Sequence, residues 1–207
     1  MINGIKVKEI LRKINSVMEE NKLYLSELDA AIGDGDHGLN MSKGFAAVVD
    51  KIDTLQDDDI SNIIKASGMA LVSNVGGASG PLYGTAFMKA SMVIAKKTEI
   101  GIEDFIHMLD AALEGIKMRG KGVLGEKTMI DSLEPALLSG KKALAEGIEA
   151  KLVLNKIQEN AEKGMISTKD IVATKGRASY VGDRSIGHQD AGATSMYLIL
   201  KTISQEV

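Results

Sequence analysis

Apolar residues in this chain recur at three- and four-residue spacings and almost nowhere at every second position. Val7, Ile10, Leu11, Ile14, Val17 and Met18 fall on one face of a helix. So do Ile60, Ile63, Ile64, Leu71, Val72 and Val75, and the cleanest stripe is Ile102, Phe105, Ile106, Leu109, Ala112, Leu113 and Ile116. Val/Ile/Thr-rich runs bounded by turns are missing. The pattern predicts an all-α fold of roughly eight or nine amphipathic helices with no sheet. Small residues on the stripes (Ala66, Gly68, Ala86, Ala90, Ala111, Ala112) would let helices approach closely, as in an antiparallel bundle. No low-complexity tract or fixed-period repeat divides residues 1–207, so a single domain is expected.

Boundary signals agree with a helical reading. Asp57-Asp58-Asp59 puts negative charge where a helix begins, and Glu103 and Asp104 open the Ile102 stripe. Pro81 suits a first turn. Pro135 is expected early in the helix running toward Ala145, where its missing N–H matters least, and Gly147 and Gly164 near helix ends or joints.

Composition removes several classes of function. The chain has no Cys, which excludes disulfides, thiolate metal sites and Cys nucleophiles, so any metal must sit on oxygen or imidazole. Aromatic residues are 3%, Trp is absent and the net charge is −3, a poor endowment for binding nucleic acid. The first helix pattern, Met1 to Asn21, is studded with charge and does not read as a signal peptide. Apolar runs such as Met69-Ala70-Leu71-Val72 are far below the ~18 residues of a membrane span. A cytoplasmic protein without nucleic-acid or membrane partners is the expectation.

What lifts the chain above a plain helical domain is its 22 glycines, 14 of which cluster in four connections. The first connection holds Asp29, Asp34, Asp36, His37 and Asn40 within twelve residues. Carboxylates this close repel one another, and a bound cation is the usual remedy. Hard oxygen donors point to Mg²⁺, one or two ions, ahead of Ca²⁺. An EF-hand fits poorly, because counting from Asp34 its twelfth position is Phe45. The alternative is an acidic capping loop, with Asp36 capping the next helix and Asp29 solvated.

The second connection, Val75 to Gly84, opens a helix whose N–H groups, with Ser79, could hold a phosphate; for this loop alone a tight turn is the plainer reading. It lacks the strand and the Gly-Lys-Ser/Thr of a Walker A loop. The third, Arg119 to Asp131, contains Gly125-Glu126-Lys127-Thr128, a near miss to Walker A, with Lys127 and Thr128 placed to suit an anion. The fourth, Thr174 to Ser195, is long for a compact helical domain and carries Lys175, Arg177 and Arg184. Together these parts describe a phosphoryl-handling site with no Ser/His/Asp or Cys/His nucleophile arrangement.

At these segments the chain resembles the ADP-binding L subunits of bacterial dihydroxyacetone kinases. The matching words are Gly33-Asp34-Gly35-Asp36-His37-Gly38-Leu39-Asn40-Met41, Gly76-Gly77-Ala78-Ser79-Gly80-Pro81-Leu82, Gly125-Glu126-Lys127-Thr128-Met129, and Lys175-Gly176-Arg177-Ala178-Ser179-Tyr180 through Gly187-His188-Gln189-Asp190. They occur in the family's order from Asp29 to Ser195. Ala191 departs from the pattern, which has Pro before its Gly-Ala-Thr-Ser run.

The resemblance implies an antiparallel barrel of eight helices with the nucleotide, ADP or ATP, at one end. It implies that Asp29, Asp34 and Asp36 hold two Mg²⁺ ions and, with Arg177, are the catalytic set. His37, Gly38, Leu39 and Asn40 would line the phosphates, and Ala78 and Ser79 would supply a second phosphate loop. Gly120 and Met129 would flank adenine, and Arg177, Asp190, Ala191 and Gly192 would close the site.

The family divides its labour. A separate K subunit holds dihydroxyacetone through a His of its own. A phosphohistidine donor, the M subunit of the phosphotransferase system, recharges the nucleotide from phosphoenolpyruvate. The other version of the enzyme fuses this domain behind a K domain and consumes ATP. The chain opens directly on its first helix with no K domain, which favours the three-subunit form. Two alternatives stand beside it: an ATP-consuming kinase subunit for a small ketose or acyl substrate, and an ADP–Mg²⁺-sensing module that signals to a transcription regulator. A homodimer is the remaining assembly to consider.

Overall fold

The computed structural model describes residues 1–56 and 58–207, and is helical almost throughout. Among the described residues are nine α-helices: α1 (Gly4–Glu20), α2 (Lys22–Ile32), α3 (His37–Asp53), α4 (Ile60–Asn74), α5 (Ser79–Met92), α6 (Ile102–Gly120), α7 (Met129–Ala145), α8 (Ala150–Ser167) and α9 (Ala191–Glu206). Two 3₁₀ segments, Thr168–Asp170 and Arg177–Ser185, lie between α8 and α9.

Asn21 alone separates α1 from α2, and its backbone N–H still bonds to Val17 O, so the two helices continue one another across a bend. Counted as one pass, they bring the number of passes to eight, as the family resemblance implies. The passes form a ring: α3 packs on α1 and α2, each later helix packs on the next, and α9 returns to α1. Direction follows from the ends. One cleft is lined by the C-terminal ends of α2 and α6 (Ile32, Gly120) and the N-terminal ends of α3, α5, α7 and α9 (His37, Ser79, Met129, Ala191). The passes therefore alternate up and down, and the cleft lies at one end of the barrel.

The stripes face inward as the period predicts. Ile10, Leu11, Ile14, Ile60, Ile63, Leu71, Ile106, Leu113 and Ile116 are all buried. Near the barrel axis Leu11, Ile14, Tyr83, Ala86, Leu133 and Leu200 help line an apolar cavity of about 130 Å³. Val72 is the exception to its stripe, 42% exposed on the outer side of α4.

Some boundary expectations need correction. A two-stranded antiparallel ladder exists where no sheet was expected, with Ile2 opposite Ile100 (β1, Ile2–Asn3; β2, Glu99–Ile100). Strands of two residues are too short to carry an alternation. Of the acidic triplet, Asp59 caps α4 by accepting the N–H of Asn62 at 3.1 Å, and Asp58 pairs with Lys8 at 3.0 Å; Asp57 lies outside the described residues. Pro135 is not in a first turn but seven residues into α7. Its missing N–H leaves the Asp131 carbonyl without a helical donor. Gly164, expected at a joint, lies inside α8 against that same carbonyl: a Cβ there would come within 2.0 Å of Asp131 O. Two backbones meet at this point, which joins α7 to α8.

Candidate functional site

The acidic loop is built by α2 and the turn that follows it. Asp29 sits on the last turn of α2, Asp34 and Asp36 on the turn, and a carboxylate oxygen of each lies within 4.8 Å of the others. Gly35 takes φ +75°, the left-handed turn that lets Asp34 and Asp36 fold back toward Asp29. Asp36 occupies the N-cap position of α3 but makes no capping bond. Asp29 Oδ2 performs that task instead, accepting the N–H of Asp36 at 3.0 Å and of His37 at 3.2 Å. The capping alternative was therefore right about the need for a cap and wrong about the residue. Asp34 and Asp36 remain exposed, and Arg177 Nε stands 2.8 Å from Asp34 Oδ2.

His37 is buried in the first turn of α3. Its Nδ1 lies 3.2 Å from Ser79 Oγ and its Nε2 2.8 Å from Ser195 Oγ, which in turn lies 2.8 Å from the Tyr83 hydroxyl. Burial pushes the imidazole below its ordinary pKa, against the upward pull of Asp29 and Asp36. This hydrogen-bonded row ties α3, α5 and α9 together beneath the cleft. Ser195 and Tyr83 were not foreseen, because a long-range side-chain pairing leaves no local spacing to read.

The second loop is a tight turn and also a helix start. Gly77 has φ +63°, and α5 begins at Ser79 with no side-chain cap on Ala78. Its first-turn N–H groups open on the cleft. On the far wall, Leu82, Ile116, Met129 and Ile130 give an apolar surface beside Gly120. Asp190 caps α9, accepting the N–H of Ala193 at 2.6 Å, and Ala191 and Gly192 follow at the rim. Ala in place of Pro at the first helical position adds an N–H that needs no helical partner there, and gives up only the fixed φ of Pro.

The cleft measures about 460 Å³ and brings together Asp29, Asp34, Asp36, His37, Ala78, Ser79, Gly120, Met129, Arg177, Asp190, Ala191 and Gly192. Three expected phosphate contacts lie outside it. Gly38 packs on the carbonyl of Lys22, Asn40 packs against Gly76, and Leu39 is 57% exposed. Of the basic residues in the fourth connection, Lys175 and Arg177 line the cleft and Arg184 does not.

The third connection is the main correction. Lys127 is 1% exposed, and its ammonium donates to the carbonyls of Thr168, Ile171 (3.2 Å), Ser185 (2.8 Å) and His188. Thr128 caps α7, accepting the N–H of Ile130, while Asp131 accepts the N–H groups of Thr128 (2.7 Å) and Gly125 (2.6 Å). Both residues are committed to structure. The Thr128-x-x-Asp131 spacing is a capping box that the sequence displays openly.

A family model described as the DAK2 domain matches residues 31–205. The chain belongs to that family. Within it, the chain is 40% identical to the "PEP-dependent dihydroxyacetone kinase, ADP-binding subunit DhaL" of Escherichia coli, over 94% of this chain and 92% of that one. It is 44% identical to the corresponding subunit of kinase 1 of Listeria innocua, over 91% and 89%. Among solved structures it superposes on the dihydroxyacetone kinase of C. freundii in complex with AMP-PNP and Mg²⁺, with a TM-score of 0.74 at 22% identity. That match covers 100% of this chain and 34% of the larger one, and it shows a shared helical fold. No helix among the described residues is long and apolar enough to cross a membrane.

Proposed function

We propose that this chain is the ADP-binding subunit of a phosphoenolpyruvate-dependent dihydroxyacetone kinase. It would carry a phosphoryl group on Mg²⁺-bound ADP/ATP from a phosphohistidine donor to dihydroxyacetone held by a separate K subunit. The observation that carries this reading is the convergence of Asp29, Asp34 and Asp36 within 4.8 Å at the mouth of a cleft framed by glycine loops and helix starts. Identity of 40–44% to L subunits over about nine-tenths of their length supports the choice of kinase.

The donor set fits a hard divalent cation: clustered carboxylates with no sulfur among them, one of which, Asp34, is ion-paired with the Arg177 guanidinium. Asp29, Asp34 and Asp36 would hold Mg²⁺, two ions by analogy with the family. Bound there, Mg²⁺ would neutralise phosphate charge and orient the group in transfer. Ser79 and the open N–H groups of α5 would hold phosphate oxygens. Arg177, now on Asp34, is placed to turn to a phosphate. Gly120 and Met129 would bracket the base against Leu82 and Ile116, and Asp190, Ala191 and Gly192 would close the rim.

Among the described residues, no histidine is placed to anchor a sugar in the cleft. His37 is committed beneath the cleft to Ser79 and Ser195, His107 is exposed on α6, and His188 serves through its carbonyl. Orientation of an acceptor hydroxyl can contribute ~7–11 kcal/mol to such a reaction, so a partner that binds the sugar is indispensable. The assay mixes the protein with ATP, Mg²⁺ and dihydroxyacetone, then adds a K subunit, then a phosphoenolpyruvate-charged donor. Sustained turnover is expected only after the last addition. Turnover before the K subunit would refute the division of labour, and sustained turnover with K and ATP alone would identify an ATP-consuming kinase.

A further inference from the structure

The connection between α8 and α9, residues 168–190, has almost no apolar interior. Of its side chains only Ala173 contributes a buried apolar group. In place of a core it folds around the Lys127 ammonium, which belongs to the opposite loop. Three N–H bonds of the ammonium are shared among four carbonyls, those of Thr168, Ile171, Ser185 and His188, spread along the connection. A neutral amine would aim a lone pair at a carbonyl, so this arrangement calls for the cation. Lys127 adopts φ +63°, a conformation that L side chains rarely take, and its side chain is thereby directed into the cage. The loops are tied again by Thr174 N–H to Glu126 O (3.4 Å) and by Lys175 to Glu126 (3.8 Å). Burial lowers the lysine's affinity for its proton, while Asp190, Asp170 and Asp131 oppose that effect.

Arg177 and Asp190, two members of the cleft, stand on this connection. We propose that Lys127 is a positioning residue of the nucleotide cleft: its ammonium is the internal cation around which residues 168–190 fold, and without it Arg177 and Asp190 are no longer held at the rim. The proposal rests on the reading of the cleft as a Mg²⁺–nucleotide site only in its binding arm.

Lys127→Ala leaves a cage that n-propylammonium, matching the deleted atoms, can refill. The first arm needs no nucleotide. Trypsin should cut the variant at Arg177 or Arg184 at least ~10-fold faster than the wild type, because local opening sets such rates. Propylammonium should slow this cleavage, and tetramethylammonium at equal ionic strength should not. The second arm is calorimetry with Mg²⁺–ADP, in which the variant should bind at least ~10-fold more weakly and regain affinity with propylammonium alone. A variant as trypsin-resistant as the wild type overturns the proposal, and so does a loss of resistance that tetramethylammonium restores equally. If wild-type protein binds no Mg²⁺–ADP, the functional reading fails while the trypsin arm still decides the role of Lys127. Should Lys127→Ala not fold, Lys127→Met keeps the stem and deletes the charge. Wild-type trypsin resistance in that variant also overturns the proposal.

Discussion

The carboxylate of Asp29 accepts the backbone N–H of Asp36 at 3.0 Å, so the acid at the end of α2 caps the helix that Asp36 begins. Two carboxylates of one cluster thereby have different structural duties. Asp36 is free of the backbone, and Asp29 is bound to it.

This difference is measurable. Asp36→Asn removes a repelling charge and no hydrogen bond, so thermal stability of the nucleotide-free protein should hold within ~0.5 kcal/mol or improve. Asp29→Ala removes the cap and should cost about 1 kcal/mol. Both should lose Mg²⁺-dependent nucleotide binding, read by calorimetry. Equal destabilisation by the two substitutions would contradict the capping assignment, and unchanged Mg²⁺ dependence in both would contradict the metal role.

Mg²⁺ and nucleotide should stabilise the fold together. A ligand at 100 times its Kd adds ~2.7 kcal/mol to the native state. For a chain of this size that corresponds to several degrees in melting temperature. Differential scanning fluorimetry should show the shift with ADP and Mg²⁺ together, and EDTA should abolish it. A full shift with ADP in the presence of EDTA would remove the cation from the site.

Much of this was legible in local spacing. The Ile102–Ile116 stripe gave α6, and the close carboxylates on a glycine turn gave the Asp29, Asp34 and Asp36 cluster, because both signals are contained in a few successive residues. What stayed hidden depends on distant partners. Lys127 and Thr128 look like an anion site in isolation, and only the carbonyls of Thr168, Ile171, Ser185 and His188, some 40 to 60 residues away, reveal the lysine as a structural cation. The row Ser79–His37–Ser195–Tyr83 is hidden for the same reason. Gly164 reads in the sequence as a helix end or joint, and the reason for a glycine inside α8, the close approach of the Asp131 carbonyl, sits on another helix.

That contact supports a stability test away from the cleft. Gly164→Ala places a methyl group 2.0 Å from Asp131 O, a backbone atom that cannot swing aside. Separation of α7 from α8 should cost about 1–3 kcal/mol by chemical denaturation. The affinity for Mg²⁺–ADP should change far less than in the Asp36 variant. A neutral substitution would mean that the helices part without penalty there.

Asp190 makes the stability of the nucleotide-free protein depend on pH. Burial pushes its carboxyl up to about 7, and Asp131 and Asp29 add to the rise, while the Ala193 N–H and Lys127 oppose it. In the unfolded chain the group would titrate near 3.8, so over the interval between these values the native state holds a proton that the unfolded state has released. Stability therefore falls as pH rises through that interval and levels off above the folded value. Between roughly pH 5.5 and 8 the loss from this group should be on the order of 1–2 kcal/mol. Asp190→Asn keeps an oxygen for the Ala193 N–H and cannot ionise, so it should flatten that part of the profile. The measurement is urea denaturation of both proteins, stripped of nucleotide, across this range. Parallel profiles for the two would show that Asp190 is already ionised in the fold at pH 5.5, and would return the cap of α9 to an ordinary carboxylate.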